Sequence, residues 1–164
     1  SRIVNVSSTG HTMGTMVHNV DDFIYKGGKG FGRMSAYGRS KLANLLFTYE
    51  LSRRFKKSNI DTIAVAAHPG ASMTELGRQW YFKVAKPIMR ILLFWMVQSA
   101  YMGALPLIRA ATDPNVKGSD YYGPSGGSRG HPIKVTSNTA SHDLEDAKKL
   151  WEISEELTGV KFSI

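Results

Sequence analysis

The chain has 164 residues, of which 42% are hydrophobic and 21% are charged, a composition typical of a folded domain with one core. It contains no cysteine, which rules out a disulfide framework or a thiolate metal site and is typical of a protein from a reducing compartment. The longest uninterrupted apolar stretch, Ile91 to Val97, is far shorter than the roughly 20 residues that cross a bilayer. We therefore expect no transmembrane segment.

The formal net charge is +8, but the basic residues are spread along the chain. Their one tight cluster lies at the predicted end of a helix, where the helix dipole favours cations: Arg53, Arg54, Lys56 and Lys57. No helix-turn-helix, zinc or aromatic RNA-binding pattern accompanies the charge. We therefore predict that the chain binds no nucleic acid.

The first predicted element is a buried strand, Ile3 to Val6, which a polar turn closes. Residues 9–34 are rich in glycine and are expected to form a long loop of the functional or mobile kind. From Ser35 to the basic cluster, apolar residues follow the period of an amphipathic helix. Thr62 to Ala67 is apolar throughout, as expected of a parallel strand covered on both faces. Strand, helix and strand together predict a right-handed βαβ unit.

The second half of the chain carries further elements. In chain order they are an irregular apolar stretch, Met73 to Val97; a helix, Ser99 to Ala111; a short strand, 118–124; a Gly/Ser loop, 125–130; and a helix, Asp143 to Leu157. We expect Asp143 and Asp146 to form a capping pair for the last helix, and Gly159 to stop it.

The pattern Tyr-x-x-x-Lys occurs twice. In the first copy, Tyr25 with Lys29, intervening glycines disfavour the helix that would fix the pair. In the second, Tyr37 with Lys41, the predicted helix places both side chains on one face, with Cβ atoms about 5 to 6 Å apart. Because a nearby ammonium group stabilises a phenolate, such a pair can exchange a proton with a carbonyl or alcohol oxygen. Ser8 ends the first strand, where ligands gather in parallel sheets, although taken alone it fits a turn residue better.

Taken together, these residues resemble the short-chain dehydrogenase/reductase family. "RIVNVSS", 2–8, is similar to the family's fifth strand, with Ser8 at the position of its catalytic serine. "YGRSK", 37–41, is similar to its Tyr-x-x-x-Lys box, and "HPGASMT", 68–74, to its Pro-Gly-x-x-x-Thr segment. The long gap between Ser8 and Tyr37 and the segments "SKLANLLF", "HPG" and "LWEISEELTG" are closer to the retinol dehydrogenase-like branch.

The resemblance implies an oxidoreductase in which a proton relay accompanies hydride transfer at the nicotinamide of NAD or NADP, with the choice between the two open. It implies that Tyr37 is the acid/base and that Lys41 stabilises the phenolate and holds the nicotinamide ribose. Ser8 would steady the reacting oxygen.

The same resemblance implies a cofactor-binding role for the segment after the sixth strand. Pro69 and Gly70 would let the backbone approach the nicotinamide. Ser72 and Thr74 would contact its carboxamide or the phosphates, Ser72 through its backbone because many relatives carry Val or Ile there.

The implied fold is α/β: the C-terminal part of a doubly wound parallel-sheet domain of the Rossmann type. Residues 1–164 would form the C-terminal half of a single dinucleotide-binding oxidoreductase domain. The glycine-rich dinucleotide turn and a fourth catalytic group, an asparagine, are expected upstream of residue 1. Gly27 to Gly32 follows no strand and is instead expected to be a flexible loop.

We predict that the isolated 164 residues are poorly stable and inactive, because three parallel strands without their partners leave a long edge unpaired. Unfolding and turnover assays on a preparation with the mass of this chain alone measure its stability and its activity. Here the whole protein means the longer protein that is expected to contain these residues. Full activity of that preparation would contradict the prediction.

Three interpretations of Met73 to Val97 remain open. As a substrate-binding flap, its aromatic and methionine side chains would imply a lipophilic alcohol, aldehyde or ketone. As a membrane-surface helix, with Lys83, Lys86 and Arg90 between apolar residues, it would place the protein at the periphery of a membrane instead of free in the cytoplasm. Core packing or a homo-oligomer contact is the third.

The histidines show no spacing with Asp or Glu that is typical of a metal site, so no metal is predicted. His68 is expected to end a strand and not to act directly. Surface positions are expected for the other four, which are His11, His18, His131 and His142.

Two other functions remain open. A sugar-nucleotide epimerase or dehydratase shares the Tyr-x-x-x-Lys chemistry, although such enzymes typically carry a longer substrate domain after the helix. A non-catalytic interaction module could keep the fold without turnover.

Overall fold

The computed structural model describes residues 1–72 and 97–163. Within them lie four strands and four α-helices: β1 Arg2–Val6, α1 Val20–Phe23, α2 Arg33–Lys57, β2 Ile63–Ala67, α3 Ala100–Thr112, β3 Tyr121–Pro124, β4 Pro132–Lys134 and α4 Leu144–Thr158. Short 3-10 helices lie at Thr9–Met13, Lys26–Gly28 and Thr139–His142.

The strands form one sheet in the order β1-β2-β3-β4. β1 and β2 are parallel along their full length, β2 and β3 are parallel, and β3 and β4 are antiparallel. This confirms the α/β class, consistent with part of a Rossmann-type fold. β4 was not predicted, because it has only three residues, begins with a proline and follows a glycine-rich loop, and so carries no readable strand pattern. Among the described strands, β1 pairs only with β2, which leaves its other edge unpaired.

β2 is covered by helices on both faces, as its sequence predicts. Val65 and Ala67 pack in a cluster with Ala110 of α3, whereas Ala66 packs in a cluster with Leu45 of α2. Strand residues alternate between the two faces of a sheet, so a strand covered on both faces has no solvent-facing positions for polar residues. All four residues from Ala64 to Ala67 have no solvent exposure.

The predicted helix ends are confirmed with small shifts. α2 begins two residues before the predicted Ser35, at Arg33, and continues through the basic cluster. Ser99 caps α3, and the Asp143 carboxylate accepts the Asp146 amide at 2.8 Å to cap α4. Gly159 ends α4 with φ of +69°, a conformation that disfavours a residue with a Cβ.

The predicted loop at 9–34 is more ordered than its composition suggests. It contains α1 and two 3-10 helices. The Arg39 guanidinium of α2 fixes it by donating to the Asp22 carbonyl at 2.8 Å and by lying 4.3 Å from the centre of the Tyr25 ring. A Cβ on Gly38 would lie 2.8 Å from the Gly14 amide nitrogen, so the two backbones cross in direct contact. The loop therefore has a fixed position against the N-terminal part of α2.

Two predictions concern residues that lie outside the described ranges. They are the cofactor contact of Thr74 and the role of the apolar stretch, of which residues 73–96 are not described. Within residues 1–72 and 97–163, no helix has the length and apolar character needed to cross a membrane.

Candidate active site

The candidate site lies where the carboxyl ends of β1 and β2 meet the N-terminal half of α2. Three hydrogen bonds fasten α2 to the end of β1. The Ser7 hydroxyl donates to the Lys41 carbonyl at 2.9 Å. The Val6 carbonyl accepts both the Asn44 amide, at 2.9 Å, and the Lys41 ammonium, at 3.3 Å. The residue after Ser7 is therefore held at a fixed distance from α2.

The Ser8 hydroxyl is oriented by the chain that follows it. Ser8 caps the 3-10 helix Thr9–Met13, and its Oγ accepts the Gly10 amide at 3.1 Å. Because the oxygen acts as the acceptor in that bond, the hydroxyl proton remains available for another acceptor. Ser8 is half-buried, so it is oriented and still reachable.

Gly10 also forms the surface on which the Tyr37 ring packs. A Cβ at Gly10 would lie 2.6 Å from Cε1 of Tyr37, so the ring occupies the space that a side chain would fill. The Tyr37 side chain is nevertheless 42% exposed. Since Gly10 touches both groups, the structure brings Ser8 and Tyr37 to the same site.

Lys41 lies on the same face of α2 as Tyr37. Its Nζ is 5.8 Å from the centre of the Tyr37 ring, and the side chain is half-buried. The other Tyr-x-x-x-Lys copy has no such geometry, because Tyr25 has a left-handed backbone and begins a 3-10 turn. Only the second copy therefore lies on a helix, as the glycines within the first copy predict.

Tyr121 and Tyr49 lie at the same end of the sheet, but neither suits proton exchange. Burial raises the pKa of both hydroxyls above the ordinary value of about 10, because a phenolate loses its hydration inside the protein. Both side chains are at most 4% exposed. Of these three tyrosines, Tyr37 is the most exposed.

The segment after β2 forms a fixed turn. Gly70 has φ of +66°, and a Cβ there would collide with the Ser128 carbonyl, which accepts the Ala71 amide at 2.7 Å. Ser72 continues the turn and packs on Gly103 of α3. The predicted cofactor-binding residues Pro69, Gly70 and Ser72 thus lie together, at the carboxyl end of β2.

Gln98 holds this turn in place and was not found from the sequence. Its side chain donates to the Pro69 carbonyl at 2.8 Å and accepts the Gly130 amide at 3.0 Å. It is 7% exposed. A single glutamine after an apolar stretch carries no sequence signal for this role, because both partners are distant in the chain.

His68 ends β2, as the sequence predicts. Its ring is buried, and Nδ1 accepts the Gly70 amide at 3.2 Å, which supports the turn. Burial, with a smaller contribution from His11, lowers the pKa of His68 to about 4. The ring is therefore neutral near pH 7.

The buried neutral state of His68 predicts a pH-dependent stability of the whole protein. Between about pH 6.5 and 4 the unfolded chain protonates His68 and the folded chain does not, so the free energy of unfolding should fall as the pH falls through this window. The expected contribution is about 2 to 3 kcal/mol. Urea unfolding between pH 7 and 4 measures it.

A His68→Asn variant provides the control. Asn retains an acceptor for the Gly70 amide but does not titrate, so its stability should depend less steeply on pH. Equal slopes for the two proteins in this window would contradict the assignment.

The prediction of a surface position is wrong for His11. Its side chain is 4% exposed and lies edge-on to the Tyr121 ring, with ring centres 5.9 Å apart. The burial arises because Tyr121 and the turn at Asn138 enclose the ring, and neither is near it in sequence. The other three, His18, His131 and His142, are exposed as predicted.

Gly10 gives a second test of the site. A Gly10→Val substitution should displace the Tyr37 ring and lower kcat of the whole protein by about 10²-fold, the order of loss expected for a misplaced catalytic group. Gly32→Ala is the control, since its Cβ would meet only the hydroxyl of the Ser35 side chain and no part of Tyr37. Steady-state kinetics of both variants measure the effect, and equal activities would count against the packing role.

Within the described parts of the chain, no group of three or more His, Asp or Glu side chains could hold a metal ion.

Curated proteins similar to this chain include several dehydrogenases. Human retinol dehydrogenase 14 is 35% identical over 161 residues, which cover 98% of this chain and 45% of the relative. Human retinol dehydrogenase 11 is 34% identical over 161 residues, 98% of this chain and 46% of the relative. The chloroplastic short-chain dehydrogenase TIC 32 B of Brassica napus is 30% identical over 155 residues, 93% of this chain and 45% of the relative.

A solved structure agrees with the fold. The crystal structure of an uncharacterised protein from Mycobacterium paratuberculosis matches with a TM-score of 0.71 and 31% identity, covering 99% of this chain and 52% of that one. No family model matches the chain.

Over nearly its whole length, the chain matches the C-terminal part of retinol dehydrogenases and of a short-chain dehydrogenase, and it has part of a Rossmann-type sheet. These findings support its recognition as part of the short-chain dehydrogenase/reductase family, in the retinol dehydrogenase-like branch. It spans about half the length of the curated relatives it matches.

Proposed function

We propose that the whole protein is an NAD(P)-dependent oxidoreductase that interconverts an alcohol and a carbonyl compound, with Tyr37 as the acid/base. The observation that carries the proposal is the contact of Gly10 with both the Tyr37 ring and the Ser8 hydroxyl, with the Lys41 ammonium beside the same ring. The names of the relatives, retinol dehydrogenases and a short-chain dehydrogenase, support the reaction class.

The residues present fit a nicotinamide cofactor. Pro69 and Gly70 are half-buried and lie at the carboxyl end of β2, where ligands bind in open parallel sheets, so a nicotinamide ring could reach this turn. Lys41 would hold the nicotinamide ribose, and Ser72 and Thr74 would contact the carboxamide or the phosphates. The bound nicotinamide would supply or accept the hydride.

The chain's own side chains would move the proton. As a carbonyl is reduced, negative charge develops on its oxygen, and Tyr37 donates its hydroxyl proton there. Ser8 donates a hydrogen bond to the same oxygen, using the proton that its bond with the Gly10 amide leaves available. The Lys41 cation stabilises the phenolate that remains. Alcohol oxidation runs through the same steps in reverse.

We propose a lipophilic alcohol, aldehyde or ketone as the substrate. The support is the composition of residues 73–96, which carry aromatic, leucine and methionine side chains next to the site in sequence. The same stretch supports peripheral contact with a membrane, or contact between two copies of the protein, as further proposals. The cytoplasm or a membrane facing it is the proposed location.

A substrate scan tests this function. The whole protein is incubated with hydrophobic alcohols and NAD or NADP, and with hydrophobic aldehydes and ketones and NADH or NADPH, while the cofactor absorbance is followed. We expect turnover with at least one long-chain pair and one preferred cofactor. Conversion of a nucleotide sugar without turnover of any simple alcohol or carbonyl would contradict the proposal in favour of an epimerase or dehydratase.

A further inference from the structure

We propose that His11 is a positioning residue for Ser8. Its imidazole ties the Ser8 main chain to the turn at Asn138, and so holds the serine hydroxyl beside Tyr37. The inference rests on the proposed function, because it assigns His11 a role in the same reaction. Neither the Tyr-x-x-x-Lys box nor the Pro-Gly segment includes this residue.

The hydrogen bonds of His11 determine which nitrogen carries the proton. Nε2 lies 3.2 Å from the Asn138 amide nitrogen, and a backbone amide can only donate, so Nε2 must be unprotonated. In a neutral ring the proton then belongs to Nδ1. Nδ1 lies 2.6 Å from the Ser8 carbonyl, which can only accept, so the two bonds require the same tautomer.

Both ends of this connection are firmly held. The Asn138 carbonyl accepts the Ser141 hydroxyl at 2.6 Å, and the Asn138 side chain accepts the Ser141 amide at 3.2 Å. The His11 ring is buried against Tyr121, which limits its movement. A buried ring with two directed bonds therefore links a fixed turn to the chain at Ser8.

The connection acts on the atoms that orient the serine. The Ser8 carbonyl accepts the His11 amide at 3.0 Å as well as Nδ1, while Ser8 Oγ accepts the Gly10 amide. A 3-10 turn of five residues has few internal bonds and poor bond geometry, so it depends on outside contacts for its position. Without Nδ1–H, the Ser8 peptide could rotate and carry the hydroxyl away from Tyr37.

Two substitutions separate the two bonds. In His11→Asn, the side-chain amide nitrogen can take the place of Nδ1 and still donate to the Ser8 carbonyl. In His11→Gln, the side-chain oxygen can reach the place of Nε2 and accept the Asn138 amide, but the donor to Ser8 is lost. The two variants thus remove similar amounts of buried ring, and each keeps one of the two bonds: His11→Asn keeps the bond to Ser8, and His11→Gln keeps the bond to Asn138.

We expect His11→Gln to lower kcat of the whole protein by about 10-fold or more, since small displacements of a reacting group cost this much. His11→Asn should retain kcat within about 3-fold of the unmodified protein, and KM for the cofactor should change little in either. Equal losses in the two variants, a larger loss in His11→Asn, or no loss in His11→Gln would overturn the proposal.

A spectroscopic measurement on the unmodified whole protein does not depend on how the variants fold. Nitrogen NMR of the imidazoles should show His11 with a protonated Nδ1 and an unprotonated Nε2, and the opposite tautomer would overturn the proposal even if the enzyme is active. Complete absence of turnover in the unmodified protein would instead overturn the proposed function, and with it the role of His11.

Discussion

A Tyr37→Phe substitution is expected to lower kcat of the whole protein by about 10²- to 10⁴-fold, the usual contribution of a positioned acid or base. The fold should persist, because Phe keeps the ring that packs on Gly10 and the side chain is 42% exposed. Steady-state kinetics, together with thermal unfolding of both proteins, measure the two effects.

The other Tyr-x-x-x-Lys copy supplies the matched control. A Tyr25→Phe substitution removes a hydroxyl that is buried and has no hydrogen-bond partner among the described residues, so stability and kcat should both change little. If Tyr37→Phe kept more than about a third of kcat, or if Tyr25→Phe reduced it equally, Tyr37 would not be the acid/base. A non-catalytic module would be indifferent to both substitutions.

Lys41→Met should also have a large effect. The Lys41 ammonium lies 5.8 Å from the centre of the Tyr37 ring. Two unit charges about 6 Å apart interact by about 3 kcal/mol at the effective dielectric constant typical of a protein surface, which corresponds to about 10²-fold in rate. Met retains the length and apolar stem of the side chain. The Val6 carbonyl keeps its bond from Asn44, so the end of β1 should remain attached to α2. The measured quantities are kcat and KM for the cofactor.

A Lys56→Met substitution near the end of the same helix controls for the loss of one positive charge. Lys56 is exposed and far along the helix from Tyr37, so kcat should stay within about 2-fold of the unmodified value. Equal effects of the two substitutions would show that Lys41 acts only through the overall charge of the protein.

The helices and strands that could be predicted are those whose burial produces a regular pattern of apolar residues in the sequence. α2 shows its apolar period because one face packs on the sheet and on α4, and β2 is apolar throughout because helices cover both faces. β4 was missed because its three residues become a strand only by pairing with β3. The order within residues 9–34 was missed because Arg39 and the crossing of Gly14 with Gly38 create it from outside the segment.

The same distinction applies to the candidate site: residues placed by a local pattern could be predicted, and residues placed by contacts with distant parts of the chain could not. The placement of Tyr37 and Lys41 on one face follows from helix geometry alone, since the spacing of four residues spans about one turn. The assignment of Ser8 depended on the order of the three motifs along the chain, because a serine after a strand is commonly a turn residue. His11 and Gln98 could not be found, since their partners at Asn138, Pro69 and Gly130 are brought near only by the folded chain.

A crystal structure of the whole protein with the dinucleotide and a long-chain alcohol tests the central claim most directly. We expect the alcohol oxygen to lie within about 3 Å of both Tyr37 Oη and Ser8 Oγ, with the Lys41 ammonium on the ribose. An alcohol oxygen bound away from Tyr37, with the phenol facing solvent in the complex, would contradict the account.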